Sequence, residues 1–379
     1  MKTNNKTEQN RMTIMPSPRS VSIAITGRCN LRCSYCFYAD EMTALSDLPT
    51  DTWLAFFDEL GEIGVMDVCL TGGEAFTRPD LFELIDGIIA NRMRYNILSN
   101  GTLITEKVLE QFEVGKRRLR LNSIQISIDG SCAEIHNKTR PNSFDRALRG
   151  LCLLKGAGFP VTVRVTINRY NLHDLENIAH LLLEDVGLPS FSTNEAAPIG
   201  SGCQNEAEVA LTPNEMAEAM EILAQLQERY PGRLNATAGP QAKREAYAEM
   251  EHALLTGEKT SHWGMGYLTG CGCVFNSIDL FHDGTIIPCS MLPGEHLGNL
   301  TRDSIADIWQ NHPILWAMRE RRNIPMQQVP GCENCKWAPF CNGSCPGLAH
   351  QLTGDFNRAN PRDCYRNFLS GLQELDHAI

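Results

Sequence analysis

Residues 20–36 read SVSIAITGRCNLRCSYC, a stretch of period two that runs through a glycine into Cys29, Cys33 and Cys36. Val21, Ile23 and Ile25 fall on one face, while Ser20, Ser22, Ala24 and Thr26 fall on the other. Such alternation marks a β-strand, because successive side chains leave opposite faces of the pleat. The thiols follow immediately, so they share one short loop at the carboxyl end of the strand, where ligand sites of α/β folds lie. A structural zinc or an ordinary iron-sulfur cluster takes four protein ligands. Three thiols leave one position for something else.

The same alternation recurs in SIQISIDG, where Ile124, Ile126 and Ile128 oppose Ser123, Gln125, Ser127 and Asp129. In VTVRVTINRY, Val161, Val163, Val165 and Ile167 oppose Thr162, Arg164, Thr166 and Asn168. VMDVCLTGG, RYNILSNG and a segment near 191–194 complete six expected strands. Helical patterns separate them at 51–63, 80–91, 105–113, 144–155 and 172–184. A further helix opens at LTPNEM, with Thr212 as N-cap, Pro213 in the first turn and Glu215 completing a capping box.

Strand and helix in alternation imply a parallel sheet with right-handed crossovers. The polar faces select the form. A closed eight-stranded barrel fills its interior with branched apolar layers, whereas here at least three strands carry Ser, Gln, Thr, Arg and Asp on one face, costly to bury unpaired. The expected fold is therefore α/β, a partial (β/α)6 barrel with a wet, ligand-holding lumen over residues 19–235, preceded by a polar segment, 1–18. Residues 236–379 read as a bridging helix and loop, a hairpin (SIDLF, His282-Asp283-Gly284, TIIPC), a short helix near 303–311 and a cysteine-dense end. This part is too irregular to be held by a core alone, so metal stapling is expected.

Two domains suit a chain of 379 residues. With 34 basic and 45 acidic residues the net charge is -11, which disfavours nucleic acid and anionic membranes as partners. No signal-peptide core and no run of eighteen apolar residues is present, so a soluble, cytoplasmic protein is expected. In that reducing compartment the 15 cysteines read as metal or cluster ligands rather than disulfides.

CNLRCSYC resembles the CxxxCxΦC signature of the radical S-adenosylmethionine (SAM) enzymes, with Tyr35 at the aromatic position. The resemblance implies that Cys29, Cys33 and Cys36 hold three irons of a 4Fe-4S cluster, and that S-adenosyl-L-methionine chelates the fourth and is cleaved to a 5'-deoxyadenosyl radical. A zinc site or a redox CxxC is the plainer alternative. TGGEAF resembles the family's GGE segment, where Gly72 and Gly73 permit close backbone approach and Glu74 accepts from the methionine ammonium. LSNGT resembles the ribose-contacting segment, with Ser99 and Asn100. ISIDG followed by His136 and Arg140 resembles the fourth-strand segment, with Ser127, Asp129 and Arg140 as polar contacts. Arg164 could pair with the methionine carboxylate. For these softer matches a hydrogen-bonded lumen residue is an equal reading.

The end of the chain, CENCKWAPFCNGSC with Cys364 beyond it, and Cys271, Cys273, Gly284 and Cys289 upstream, resemble the seven-cysteine signature of the SPASM extension. That resemblance implies two auxiliary iron-sulfur clusters, and with the first, three in all. Cys332, Cys335, Cys341 and Cys364 would bind the outer one; Cys289, Cys345 and one or both of Cys271 and Cys273 would bind the inner one. Outside this scheme, Cys69 and Cys152 read as core, Cys132 is unassigned, and Cys203 in GSGCQ is a possible hydrogen-atom donor.

Both resemblances imply a peptide-modifying enzyme, in first place a ribosomal-peptide maturase forming an intramolecular crosslink, served by an external one-electron donor of flavodoxin or ferredoxin type. Only about eighteen residues precede the first strand, so leader recognition would use a separate leader-binding protein or another surface. The alternatives are a sulfatase-type maturase, a small-molecule radical dehydrogenase and an iron-sulfur electron-transfer protein without radical chemistry. Ser290 stands where sulfatase maturases carry an acidic residue, and the full cysteine set departs from the reduced set of the dehydrogenases.

Overall fold

The computed structural model describes residues 12–43, 47–258, 265–269 and 272–376. Ten strands form one sheet: β1 Ser20–Ala24, β2 Asp67–Thr71, β3 Arg94–Ser99, β4 Leu121–Ser127, β5 Val161–Ile167, β6 Phe191–Glu195, β7 Leu234–Ala236, β8 Ser277–Leu280, β9 Thr285–Ile287 and β10 Gly298–Asn299. Their order is β10-β9-β8-β1-β2-β3-β4-β5-β6-β7. β1 to β7 run parallel to their neighbours. The sheet stays open, with β7 and β10 at its edges, and the architecture is the expected α/β partial barrel.

The six expected strands all form, and the alternation acts as read. Val21, Ile23, Ile124, Ile126, Val163 and Val165 are wholly buried against the helical layer. On the opposite face Ser22, Gln125, Ser127, Arg164 and Ser192 are only half-buried and line the lumen, while Thr26, Asp129, Thr166 and Asn168 at the strand ends are buried. The helices bury stripes at helical spacing, as in Thr50–Glu62 with Trp53, Phe56, Phe57 and Leu60 inside. Thr212 and Glu215 form the capping box at the start of Pro213–Arg229.

Three features differ from the sequence reading. The helix expected at 172–184 is a 3-10 turn, a short α-helix Leu175–His180 and a wide turn Leu181–Asp185; there Leu188 N reaches back to Leu182 O. The hairpin β8–β9 is not confined to the tail. β8 lies parallel to β1, so Ser22 is in register with Cys69 on one side and Asp279 on the other. Finally, neither Cys69 nor Cys152 is an apolar core residue. Cys69 is half-buried on the lumen face of β2, between buried Val68 and Leu70. Cys152 is exposed, because the buried stripe of Phe144–Gly156 runs through Ala147, Leu151 and Leu154.

The C-terminal part has little core of its own. Leu268, Met326, Val329 and Ala338 form one small cluster. A second, of Met216, Met220, Tyr247, Met250, Trp337 and Tyr365, is shared with the helices that follow β6 and β7.

Candidate functional site: a cysteine loop at the barrel mouth

The loop after β1 is clamped from three sides. From the end of β2, Gly73 N donates to Thr26 O at 2.9 Å and Glu74 N to Arg28 O at 2.8 Å. A Cβ on Gly73 would collide with the Arg28 carbonyl and lie 2.9 Å from Cys29 Cβ; Gly72 has φ +124° and faces the Thr26 carbonyl just as closely. The two glycines therefore admit the cysteine loop itself. After β4, Thr139 O accepts from Ser34 N at 3.0 Å, and after β6, Ser201 N donates to Cys36 O at 3.0 Å. Asn205 Nδ2 donates to Ser34 O at 2.8 Å, and a Cβ on Gly200 would fall 3.0 Å from Phe37 O. Sequence reasoning missed Gly200 and Asn205. The visible signal was the glycine pair in GSGCQ; Cys203 itself is exposed.

Glu74 is buried and accepts three hydrogen bonds, from Ser99 Oγ at 2.9 Å, Asn100 N at 2.8 Å and Phe76 N at 3.2 Å. Burial raises its pKa above the usual carboxylate value, against these donors. Asn100 Nδ2 donates to Asn30 Oδ1 at 2.9 Å, and its Oδ1 accepts from Thr102 N and Oγ1. Ser99 and Asn100 thus link the ends of β2 and β3 to the cysteine loop.

Tyr35, Asp129 and Arg140 meet beneath that loop. Asp129 accepts from the Tyr35 hydroxyl, from Arg140 Nε and, at 2.7 Å, from Thr166 N. Arg140 Nε also reaches the Tyr35 oxygen at 2.9 Å, and its Nη1 lies 3.7 Å from Cys33 Sγ. His136 holds the turn between them: Asp129 N donates to Nδ1 at 3.1 Å, and Ser143 Oγ lies 3.0 Å from Nε2. Because Ser143 Oγ donates to Arg140 O, the histidine is neutral with its proton on Nε2. Arg164 lies apart. Its Nε donates to Ser192 Oγ at 2.9 Å, and it lines a cavity of about 360 Å³ with Asn235 and Gln241. Ser127 is its register partner on β4.

Burial raises the thiols of Cys29, Cys33 and Cys36, the last to about 11; Cys29 also feels Cys33, and Cys36 feels both of the others. Such thiols resist ionising alone; a multiply charged iron centre would offset that, and Arg140 beside Cys33 would balance the thiolates. The donor set fits a cluster with three protein ligands. In the tail, burial also raises Cys341 to about 11, and its thiol feels Cys364, Cys332 and Cys335. The structure therefore gathers these four. Cys289 and Cys345 are half-buried, Cys273 opens the short helix Cys273–Asn276, and Cys271 lies outside the described residues. Among the described residues no three side chains converge as a single metal ion requires; thiolates of a cubane cluster each bind a different iron and stand further apart.

A lumen opening at the carboxyl ends of parallel strands, with three clustered thiols at its mouth, suits a metal centre that keeps one coordination position open. Residues 23–182 match the radical SAM superfamily and residues 271–336 the SPASM iron-sulfur cluster-binding domain. The chain is a radical SAM enzyme carrying a SPASM domain. Membership brings S-adenosylmethionine and a 4Fe-4S cluster at the barrel, with auxiliary iron-sulfur binding in the tail. Cys341, Cys345 and Cys364 fall beyond the matched SPASM span.

An AdoMet-dependent heme synthase of Methanosarcina barkeri is 28% identical over 92% of this chain and 97% of its own. A PqqA peptide cyclase of Ruegeria pomeroyi is 26% identical over 93% and 89%. The structure of Streptococcus suis SuiB bound to the precursor peptide SuiA superposes with a TM-score of 0.70 at 14% identity, covering 93% of this chain and 77% of that one. Among the described residues no helix is long and apolar enough to cross a membrane.

Proposed function

We propose that the enzyme abstracts a hydrogen atom from a peptide and thereby installs an intramolecular crosslink, as a ribosomal-peptide maturase does. The observation behind this reading is a lumen wall with few charges, in which Asp279 of β8 and Arg164 of β5 stand among neutral residues. Ser22, Asn96, Gln125, Ser127, Ser192 and Asn194 offer neutral donors and acceptors, which suit a peptide main chain. Among the described residues Arg164 is the lumen cation with no carboxylate partner. Arg140 is spent on Asp129, and Lys243 on Glu195 and Asp363. The heme synthase relative favours a second reading, an iron tetrapyrrole. A substrate with several carboxylates, however, asks for several cations.

Cys29, Cys33 and Cys36 would hold the first cluster, with Tyr35, Gly72, Gly73, Glu74, Ser99, Asn100, Asp129 and Arg140 shaping the surrounding pocket. When bound, the cluster and S-adenosylmethionine supply the radical. The chain's own part is to hold the loop rigid, place the peptide against it and exclude water. Cys332, Cys335, Cys341 and Cys364 would hold an outer auxiliary cluster; Cys273, Cys289 and Cys345, with Cys271, would hold an inner one, making three clusters. Residues 19–235 and 236–379 would be the two domains, working in the cytoplasm with a flavodoxin- or ferredoxin-type donor and a separate leader-binding protein.

The test is anaerobic turnover with S-adenosylmethionine and short precursor peptides, read by mass spectrometry. Loss of two hydrogens from the peptide supports the proposal. Conversion of an iron tetrapyrrole, with no peptide altered, overturns it in favour of the second reading.

A further inference from the structure

Arg321 is wholly buried, yet no carboxylate or aromatic face among the described residues meets its charge. Nη1 donates to Thr269 O at 2.5 Å, Nη2 reaches Arg358 O at 3.4 Å, and Nε has no acceptor. Arg319, also buried, shows how this region meets a cation: it donates to the Val274 and Trp309 carbonyls and lies 4.6 Å and 5.2 Å over the Trp309 and Trp316 rings. Arg321 has its two carbonyls but no such ring. Burial lowers its pKa to about 10, and the groups opposing that loss are the thiols of Cys345 and Cys273, ahead of Asp355. A guanidinium stays charged, and an uncompensated buried charge is strongly unfavourable. An anion at those sulfurs, together with Asp355, would compensate it.

We propose that Arg321 is the counter-ion of the inner auxiliary cluster and raises its reduction potential. The inference rests on the assignment of Cys273, Cys289 and Cys345 to one cluster. Reduction there adds one electron and neither makes nor breaks a bond, so one unit of negative charge is added beside a fixed cation in a water-poor site. Arg321 favours the reduced state through that charge. Its two carbonyl contacts also tie the segment leading to Cys273 to the tail at Arg358, so charge and anchoring must be separated by experiment.

The experiment is an EPR-monitored redox titration of the full chain, reconstituted anaerobically, with iron counted per chain, for wild type, Arg321→Gln, Arg321→Lys and Cys345→Ala. Cys345→Ala should lose one cluster signal, which identifies the inner cluster. Arg321→Gln should keep its iron and shift that same signal to lower potential, with the reduced-to-oxidised ratio falling about tenfold at fixed potential, about 59 mV for a one-electron couple. Arg321→Lys should restore most of it. Full iron with an unchanged potential in Arg321→Gln overturns the proposal, as do equal shifts in Gln and Lys. If Arg321→Gln loses the cluster, Arg321→Lys decides: wild-type iron and potential support the charge, and loss in both variants reduces Arg321 to an anchor. Full iron in Cys345→Ala instead refutes the ligand assignment, a separate failure.

Discussion

The cysteines near the two ends of the chain are held in opposite ways. Cys29, Cys33 and Cys36 hang from the end of a parallel sheet whose core includes Val21, Ile23, Leu70 and Ile97, all wholly buried. Cys332, Cys335 and Cys341 follow one another through tight turns: Cys335 N bonds to Cys332 O, Ala338 N to Cys335 O and Cys341 N to Trp337 O. Beneath them lie two small clusters, one of four buried residues and one of six that is shared with the barrel's later helices. One site is placed by a fold that stands without it, while the other must help make its own fold.

The sharpest way to break that contrast is to empty each set. Alanine at Cys29, Cys33 and Cys36 should remove about four irons and abolish S-adenosylmethionine cleavage, with the thermal midpoint nearly unchanged. Alanine at Cys332, Cys335, Cys341 and Cys364 should strip hydrogen-exchange protection from residues 326–366 and leave barrel peptides as before. A tail that stays protected without iron would refute the distinction.

Glycines extend the comparison at smaller scale. Gly73→Ala drives a methyl group into the cysteine loop and should cost about 100-fold in turnover through misplacement of the thiols. Gly331→Ala, at φ +85° but with nothing within 4 Å, should cost only about 1 kcal/mol of stability by urea unfolding.

Next comes the joint between the two regions. Lys243 is buried, 2.7 Å from Glu195 at the end of β6 and 3.0 Å from Asp363 beside Cys364. Lys243→Met leaves two carboxylates facing each other and should destabilise by about 3 kcal/mol, with the tail loosening first by hydrogen exchange. Loosening that starts in the barrel would place the weak point elsewhere.

The effect of pH falls on His136, on the barrel side. Burial lowers its pKa from 6.5 to about 4, whereas the unfolded chain takes up the proton at the ordinary value. Its contribution, about 3 kcal/mol at most, is therefore complete above pH 6.5 and is lost as the pH falls towards 4. His136→Gln should flatten that limb of the urea-midpoint profile. Identical profiles would show that acid destabilisation arises in the tail.

Much of this was legible in the chain. Period-two alternation exposed three of the six central strands and their wet face, because side-chain direction in a strand is a local property. The cysteine spacings exposed both groups of thiols for a similar reason: each group is drawn largely from neighbours in sequence. Cys152 was misread because an apolar neighbourhood in sequence does not fix a helix face, which depends on where the stripe through Leu151 and Leu154 lies. Cys69 was misread because the strand's lumen face is partly shielded without being apolar.

By itself the sequence determined the alternating α/β class, the loop of three thiols, the capping box at Thr212 and the cysteine-rich tail, all set by interactions within a few residues. Only the tertiary structure decided that β8 joins β1, that Gly200 and Asn205 clamp the cysteine loop from beyond β6, that Lys243 ties the barrel edge to Asp363, and that Arg321 is sealed beside Cys345 and Cys273. Those pairings join residues far apart in the chain, and packing and charge compensation select them only once the sheet has formed.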